Sequence, residues 1–150
     1  MEHYTQSLPY ELELTSRVLH EAARCFFELN KFPVSQEEFI ILDCLYMNPG
    51  IIQIELAKLI MKGRAHTGKF LKSLEYRGLI ARNPKNQGSK IIMESTITPK
   101  GLEIYKEISE ALDKHISESS TYANIDVKKL IKLLKLIRED AIKKFDIKFN

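Results

Sequence analysis

Apolar side chains recur at helical spacing over residues 8 to 31, at Leu8, Leu12, Val18, Leu19, Ala22, Phe26 and Leu29. The spacing predicts a long first helix, with Pro9 in its first turn, where a missing N–H is tolerated. Asn30-Lys31-Phe32-Pro33 ends it. Ser35-Gln36-Glu37-Glu38 then reads as a capping box, with Ser35 at the N-cap, Glu38 reaching back, and Val34 and Phe39 at the staple positions. Phe39, Leu42, Leu45 and Tyr46 mark the buried stripe of this second helix, and Asn48-Pro49-Gly50 stops it. Ile52 to Met61 reads as a short apolar helix with Ile54, Leu56, Ala57 and Ile60 available for packing, followed by a tight turn at Lys62-Gly63. The next helix, Arg64 to Arg77, turns Thr67, Phe70, Leu71 and Leu74 inward and His66, Lys69, Lys72 and Ser73 outward. Gly78 takes the C′ position at its end.

The period then changes. Leu79 to Arg82 and Ile91 to Ile97 read as two short strands, joined by the polar loop Asn83 to Lys90 into a hairpin. Thr98-Pro99 starts another helix, as N-cap and N1, that runs to about Ser119. Residues 120 to 125 read as a polar joint. Asp126 caps a last helix with Val127, Leu130, Ile131, Leu134, Ile137, Ala141, Ile142 and Phe145 on one side and six lysines mostly opposite. A terminal helix with this stripe and no remaining core to cover calls for a partner helix. A second copy of the chain, together with the first helix, is the economical answer.

Charge sharpens the picture. Between Lys58 and Lys90 nine lysines and arginines face a single acid, Glu75, in a chain whose formal net charge is only +3. Basic residues gathered on a helix-turn-helix and a hairpin form a surface for a polyanion, because each cation near a phosphate releases condensed counterions. The apolar share of 44% is ordinary for a globular chain and ample for one core. No run reaches the roughly 18 apolar residues of a membrane span. The first residues, Met1 to Gln6, carry no secretory pattern, so the chain reads as cytoplasmic. The four histidines are scattered at spacings unlike a zinc site, and no P-loop, dinucleotide or nucleophile motif is present. The reading therefore excludes an enzyme and calls for no metal or cofactor.

The order helix, helix-turn-helix, hairpin is that of a winged helix-turn-helix, in which the 64–77 helix enters the major groove by its N-terminal half. Here the sequence resembles the MarR family of bacterial transcription regulators. The likeness rests on Ile54-Glu55-Leu56-Ala57, on Leu71 through Arg82 (LKSLEYRGLIAR), and on Ile97-Thr98-Pro99-Lys100-Gly101. The long helices at both ends match the family's dimerisation elements in position and length. The resemblance implies a mainly α fold with a two-stranded β-wing, flanked by long N- and C-terminal dimerisation helices. The expected organisation is a single domain over 1–150, with a DNA-binding lobe at 33–100 and a helical lobe formed by 1–32 and 101–150. It also implies a homodimer on a pseudo-palindromic operator in double-stranded DNA, usually a repressor, with a possible small-molecule effector of unknown identity. Tyr10, Phe26, Phe27, Phe39 and Tyr46 are aromatic candidates for that effector's cleft or for plain core.

Arg64, His66 and Lys69 are the candidates for base edges, with Thr67 either beside them or packed inward. Lys72, Ser73, Arg82, Lys85, Asn86 and Lys90 complete the expected DNA-binding set. Two features depart from the family. Ser89-Lys90-Ile91 stands where its wing carries Asp-x-Arg. Gly68 lies inside the recognition helix, either for close approach to DNA or as a local weakness that costs about 1 kcal/mol against alanine. Cys25 and Cys44 read as small buried hydrophobes of a reducing compartment. The alternatives are a redox switch at either thiol, or a winged helix that binds protein and no DNA.

Overall fold

The computed structural model describes residues 3–149. The chain divides at Ile40 into two compact units, one before it and one after. In the first, a 3-10 turn at Tyr4–Gln6 leads into α1 (Leu8–Leu29), and α2 (Gln36–Met47) begins. The capping box forms as expected: Ser35 Oγ accepts from the Glu38 amide at 3.2 Å and Glu38 Oε2 from the Ser35 amide at 3.0 Å. Phe26, Phe27, Phe32 and Phe39 make a cluster of rings with centroids 5.5 to 6.1 Å apart, the edge-on spacing that aromatic quadrupoles favour.

The second unit holds the rest of α2, then β1 (Ile51–Ile52), α3 (Gln53–Leu59), α4 (Arg64–Tyr76), β2 (Ile80–Gln87), β3 (Lys90–Ile97), α5 (Pro99–Ser117), α6 (Ser120–Ala123) and α7 (Val127–Phe145). Its core is Ile41, Leu42, Leu45, Leu56, Ala57, Leu71, Leu74, Leu79, Ile80 and Ile108. The expected stripe of α2 holds at Leu42 and Leu45 but fails at Tyr46, which is 46% exposed and stacks on Tyr105 at 4.7 Å. The left-handed residue of the α3–α4 turn is Met61 at φ 53°, while Gly63 sits at φ −65° as the N-cap of α4. Gly78, at φ +69°, closes α4 with bonds from its own amide to Glu75 and from Leu79 to Leu74.

The sheet is three-stranded, in the order β1-β3-β2, where the sequence predicted two strands. Two residues before α3 are too few for an alternation signal, yet Ile51 and Ile52 pair with Ser95 and Glu94. The hairpin is also longer than expected. Residues 83–87 and 90 are strand, and only Gly88-Ser89 is turn. Gly88 has φ +61°, as a type II′ turn asks of its first residue. Pro84, inside the stretch expected to be a loop, is tolerated because β2 is an edge strand. At the start of α5, Thr98 Oγ1 accepts from the Gly101 amide at 3.1 Å and donates to the Gly78 carbonyl at 2.8 Å. A Cβ at Gly101 would lie 2.0 Å from the Leu79 carbonyl oxygen, so only glycine lets α5 start this close to β2. The joint expected at residues 120–125 contains the short helix α6.

Candidate nucleic-acid interface

The helix-turn-helix and the wing all lie in the second unit. The inner face of α4 is closed: Thr67, Leu71 and Leu74 have no exposed surface. Its outer face carries Arg64, His66, Lys69 and Lys72, all exposed. The side chains of Arg64, Lys69 and Lys72 have no ion-pair partner among the described residues, and His66 rests edge-on against Phe70 at 4.9 Å. Cations at 64, 69 and 72 thus project together from a helix whose other side is packed, as an element entering a groove requires.

Other members of the predicted set are placed differently. Thr67 is fully buried, and its hydroxyl donates to the Gly63 carbonyl at 3.0 Å, the back-bond that satisfies an inward threonine. It packs inward and presents nothing to a groove. Ser73 is half-buried. The Arg82 side chain is only 13% exposed, 3.8 Å from Glu75 and donating at 3.3 Å to Gln53 Oε1. Its guanidinium serves the interior side of the wing, because β2 leaves the core at that residue. On the wing, Lys85 pairs with Glu94 at 2.6 Å, across the diagonal of the β2–β3 ladder. Lys90 and Asn86 are exposed beside Ile91, which is 72% exposed. The wing end is therefore part cationic and part apolar.

Gln53 escaped the sequence reading. It is the first residue of α3, and its side-chain amide donates to the Arg64 carbonyl at 2.9 Å while accepting from Arg82. Nothing in the local pattern of α3, which also carries Glu55 and Lys58, singles it out.

In the first unit, His20, Arg24, Lys31, Phe27, Phe32 and Val34 help line a cavity of about 270 Å³. Arg24 donates to both Glu21 and Glu28, which raise its pKa, and the same Arg24 hydrogen bond holds the Glu21 carboxyl below its ordinary value. Cys25 Sγ lies 4.0 Å from Arg24, but that cation already faces two carboxylates. In the second unit, burial and then the charge of Asp43 push the Cys44 thiol up. No cluster of metal ligands occurs among the described residues, and no helix among them is long and apolar enough to cross a membrane.

Residues 34–91 match the MarR family profile. An uncharacterized HTH-type transcriptional regulator, YybA, of Bacillus subtilis (strain 168) is 30% identical over 95 residues, 63% of this chain and 61% of that protein. The alignment thus spans under two thirds of that relative's length. Solved structures share the fold at lower identity. The transcriptional regulator SlyA superposes with a TM-score of 0.76 at 23% identity, over 94% of this chain and 98% of its own. MepR of S. aureus, solved as a DNA complex, superposes with a TM-score of 0.72 at 17% identity, over 94% and 99%.

Proposed function

We propose that the chain is a transcription regulator of the MarR family, whose profile matches residues 34–91, and that it binds duplex DNA as a homodimer and represses the promoter it sits on. The observation that carries the proposal is the outer face of α4, where Arg64, His66, Lys69 and Lys72 stand exposed over a fully packed inner face. The N-terminal half of α4 lies in the major groove, where Arg64, His66 and Lys69 meet base edges. Lys72, Lys58 and the wing residues Lys90 and Asn86 touch phosphate and fix register. Lys85 joins them by exchanging Glu94 for phosphate. Arg82 is left out of the DNA contacts, since Gln53 and Glu75 engage it.

The dimer contact falls to the terminal helices. No side chain of α7 is buried, and Leu130, Ile131, Leu133, Leu136 and Ile137 are all large and exposed. Leu8, Leu14, Val18 and Leu19 of α1 are exposed as well. Apolar surface of this extent on each helix marks an association face, and a two-fold partner presenting the same faces covers them. The cavity beside His20, Arg24 and Phe27 is the place for a small-molecule effector. Neither thiol enters the proposal: burial pushes the Cys44 thiol up, and the Arg24 cation beside Cys25 already faces two carboxylates.

The test is selection from a pool of random duplex DNA at two salt concentrations. The expected result is a palindrome whose half-sites lie about one helical turn apart, bound with a steep salt dependence and lost in Arg64→Ala and Lys69→Ala. Weak binding, equal for all sequences, would sink the reading.

A further inference from the structure

Gln53 uses both ends of its amide to join three pieces of the DNA-facing lobe. Nε2 donates to the Arg64 carbonyl in the first turn of α4 at 2.9 Å, and Oε1 accepts from Arg82 Nη2 of β2 at 3.3 Å. Arg82 in turn lies 3.8 Å from Glu75, near the other end of α4. The space for this amide comes from Gly68. A Cβ there would meet Gln53 Nε2 at 2.7 Å, and the three nearest atoms to it all belong to the Gln53 side chain. Gly68 is buried, so its missing side chain makes room inside the protein and brings no backbone nearer to a ligand. In the helix ladder the Arg64 carbonyl also faces the residue-68 amide. A bare α-carbon is what lets a second donor reach that same oxygen.

We propose that Gln53 is a positioning residue that latches the first turn of the recognition helix to the root of the wing, with Gly68 as its required vacancy. This rests on the DNA-binding reading and deepens it: base-reading and phosphate-reading elements move as one body, so their relative position is fixed before DNA arrives. Arg82 then acts through Gln53 on the helix and needs no phosphate. The latch also explains why glycine is tolerated mid-helix despite its poor propensity.

The experiment is a double-mutant cycle on the full chain, with Gln53→Ala, Gly68→Ala and both together. Three readouts are taken: thermal midpoint, amide exchange of the free protein, and affinity for the selected operator against a scrambled duplex. Gly68→Ala should lower the thermal midpoint in the parent protein. In the Gln53→Ala background it should raise it, because the clash is gone and alanine favours the helix. Gln53→Ala should speed exchange at residues 64–68 and 80–82 together. It should cut the operator-to-scrambled ratio at least about ten-fold while leaving the salt slope unchanged, since no phosphate contact is removed. A Gly68→Ala effect with the same sign in both backgrounds overturns the latch. So does exchange that stays slow in Gln53→Ala, or an unchanged sequence ratio. If the parent protein selects no operator, the DNA-binding reading fails by itself. The free-protein cycle and exchange then decide the latch without it.

Discussion

The helix α4, proposed to read DNA, and the terminal helix α7 are both amphipathic and both basic, yet the chain treats them in opposite ways. On α4 the apolar face is consumed: Thr67, Leu71 and Leu74 have no exposed surface. On α7 a longer apolar stripe is left open, with Ile131 47% and Ile137 42% exposed. Periodicity says which side of a helix is apolar; it does not say whose atoms cover it. On α4 the cover comes from the same chain, so the lysines opposite are free for a ligand. On α7 the proposed cover is a second copy, so its energy belongs to association.

The largest expected effect tests that difference directly. Leu74→Ala should cost about 2–5 kcal/mol through transfer and cavity terms, and urea unfolding should give the same loss at every protein concentration. Ile137→Asp should instead convert dimer to monomer in equilibrium sedimentation, while far-ultraviolet circular dichroism keeps the signature of the helices outside α7. The parent's unfolding midpoint should rise with protein concentration and the variant's should not. A concentration-independent midpoint in both would break the contrast and leave α7 without a partner.

A smaller effect separates two cations on the outer face of α4. Lys69→Ala should remove about 1–3 kcal/mol of discrimination at one base pair of the selected operator, measured by competition with single-base variants. Lys72→Ala should weaken all duplexes alike and lower the magnitude of the log–log salt slope by about 1.8, or about 0.9 for each copy of the dimer. Reversed outcomes would place Lys72 at the bases and rotate the helix in the groove.

The parts legible in the sequence were those set by local chemistry or period. The Ser35, Thr98 and Asp126 caps, the α4 inner face at Leu71 and Leu74, and the glycine closing α4 are all where the pattern put them. What escaped depends on neighbours distant in sequence. β1 is two residues long and exists because β3 pairs with it. The strand across Pro84 holds because that edge meets solvent. Arg82 reads as a DNA contact from its place in a motif, but Gln53, 29 positions earlier, accepts its hydrogen bond. Lys85 likewise reads as free until the ladder brings Glu94 beside it. Thr67 was ambiguous because a threonine fits either face; the Gly63 carbonyl decides it.

The smallest effect compares two N-caps of the same kind. Thr98 accepts from the Gly101 amide at 3.1 Å and Asp126 from the Lys129 amide at 3.0 Å. Each should cost about 1 kcal/mol on replacement by alanine, but the loss should surface in different measurements. Thr98 also donates to Gly78, inside the lobe that α4 helps to build, so Thr98→Ala lowers the unfolding midpoint of the chain at any concentration. Asp126 caps a helix with no buried side chain of its own. An isolated helix of that length is marginal in water, so under the proposed dimer α7 gains most of its order from the face it meets in the partner. Asp126→Ala should therefore weaken the dimer about thirty-fold, because each of the two copies loses a cap of about 1 kcal/mol. It should hardly move the midpoint of a monomeric Ile137→Asp background. Equal midpoint losses from both caps in that background would mean that α7 is held by its own chain, and the two helices would then differ in exposure alone.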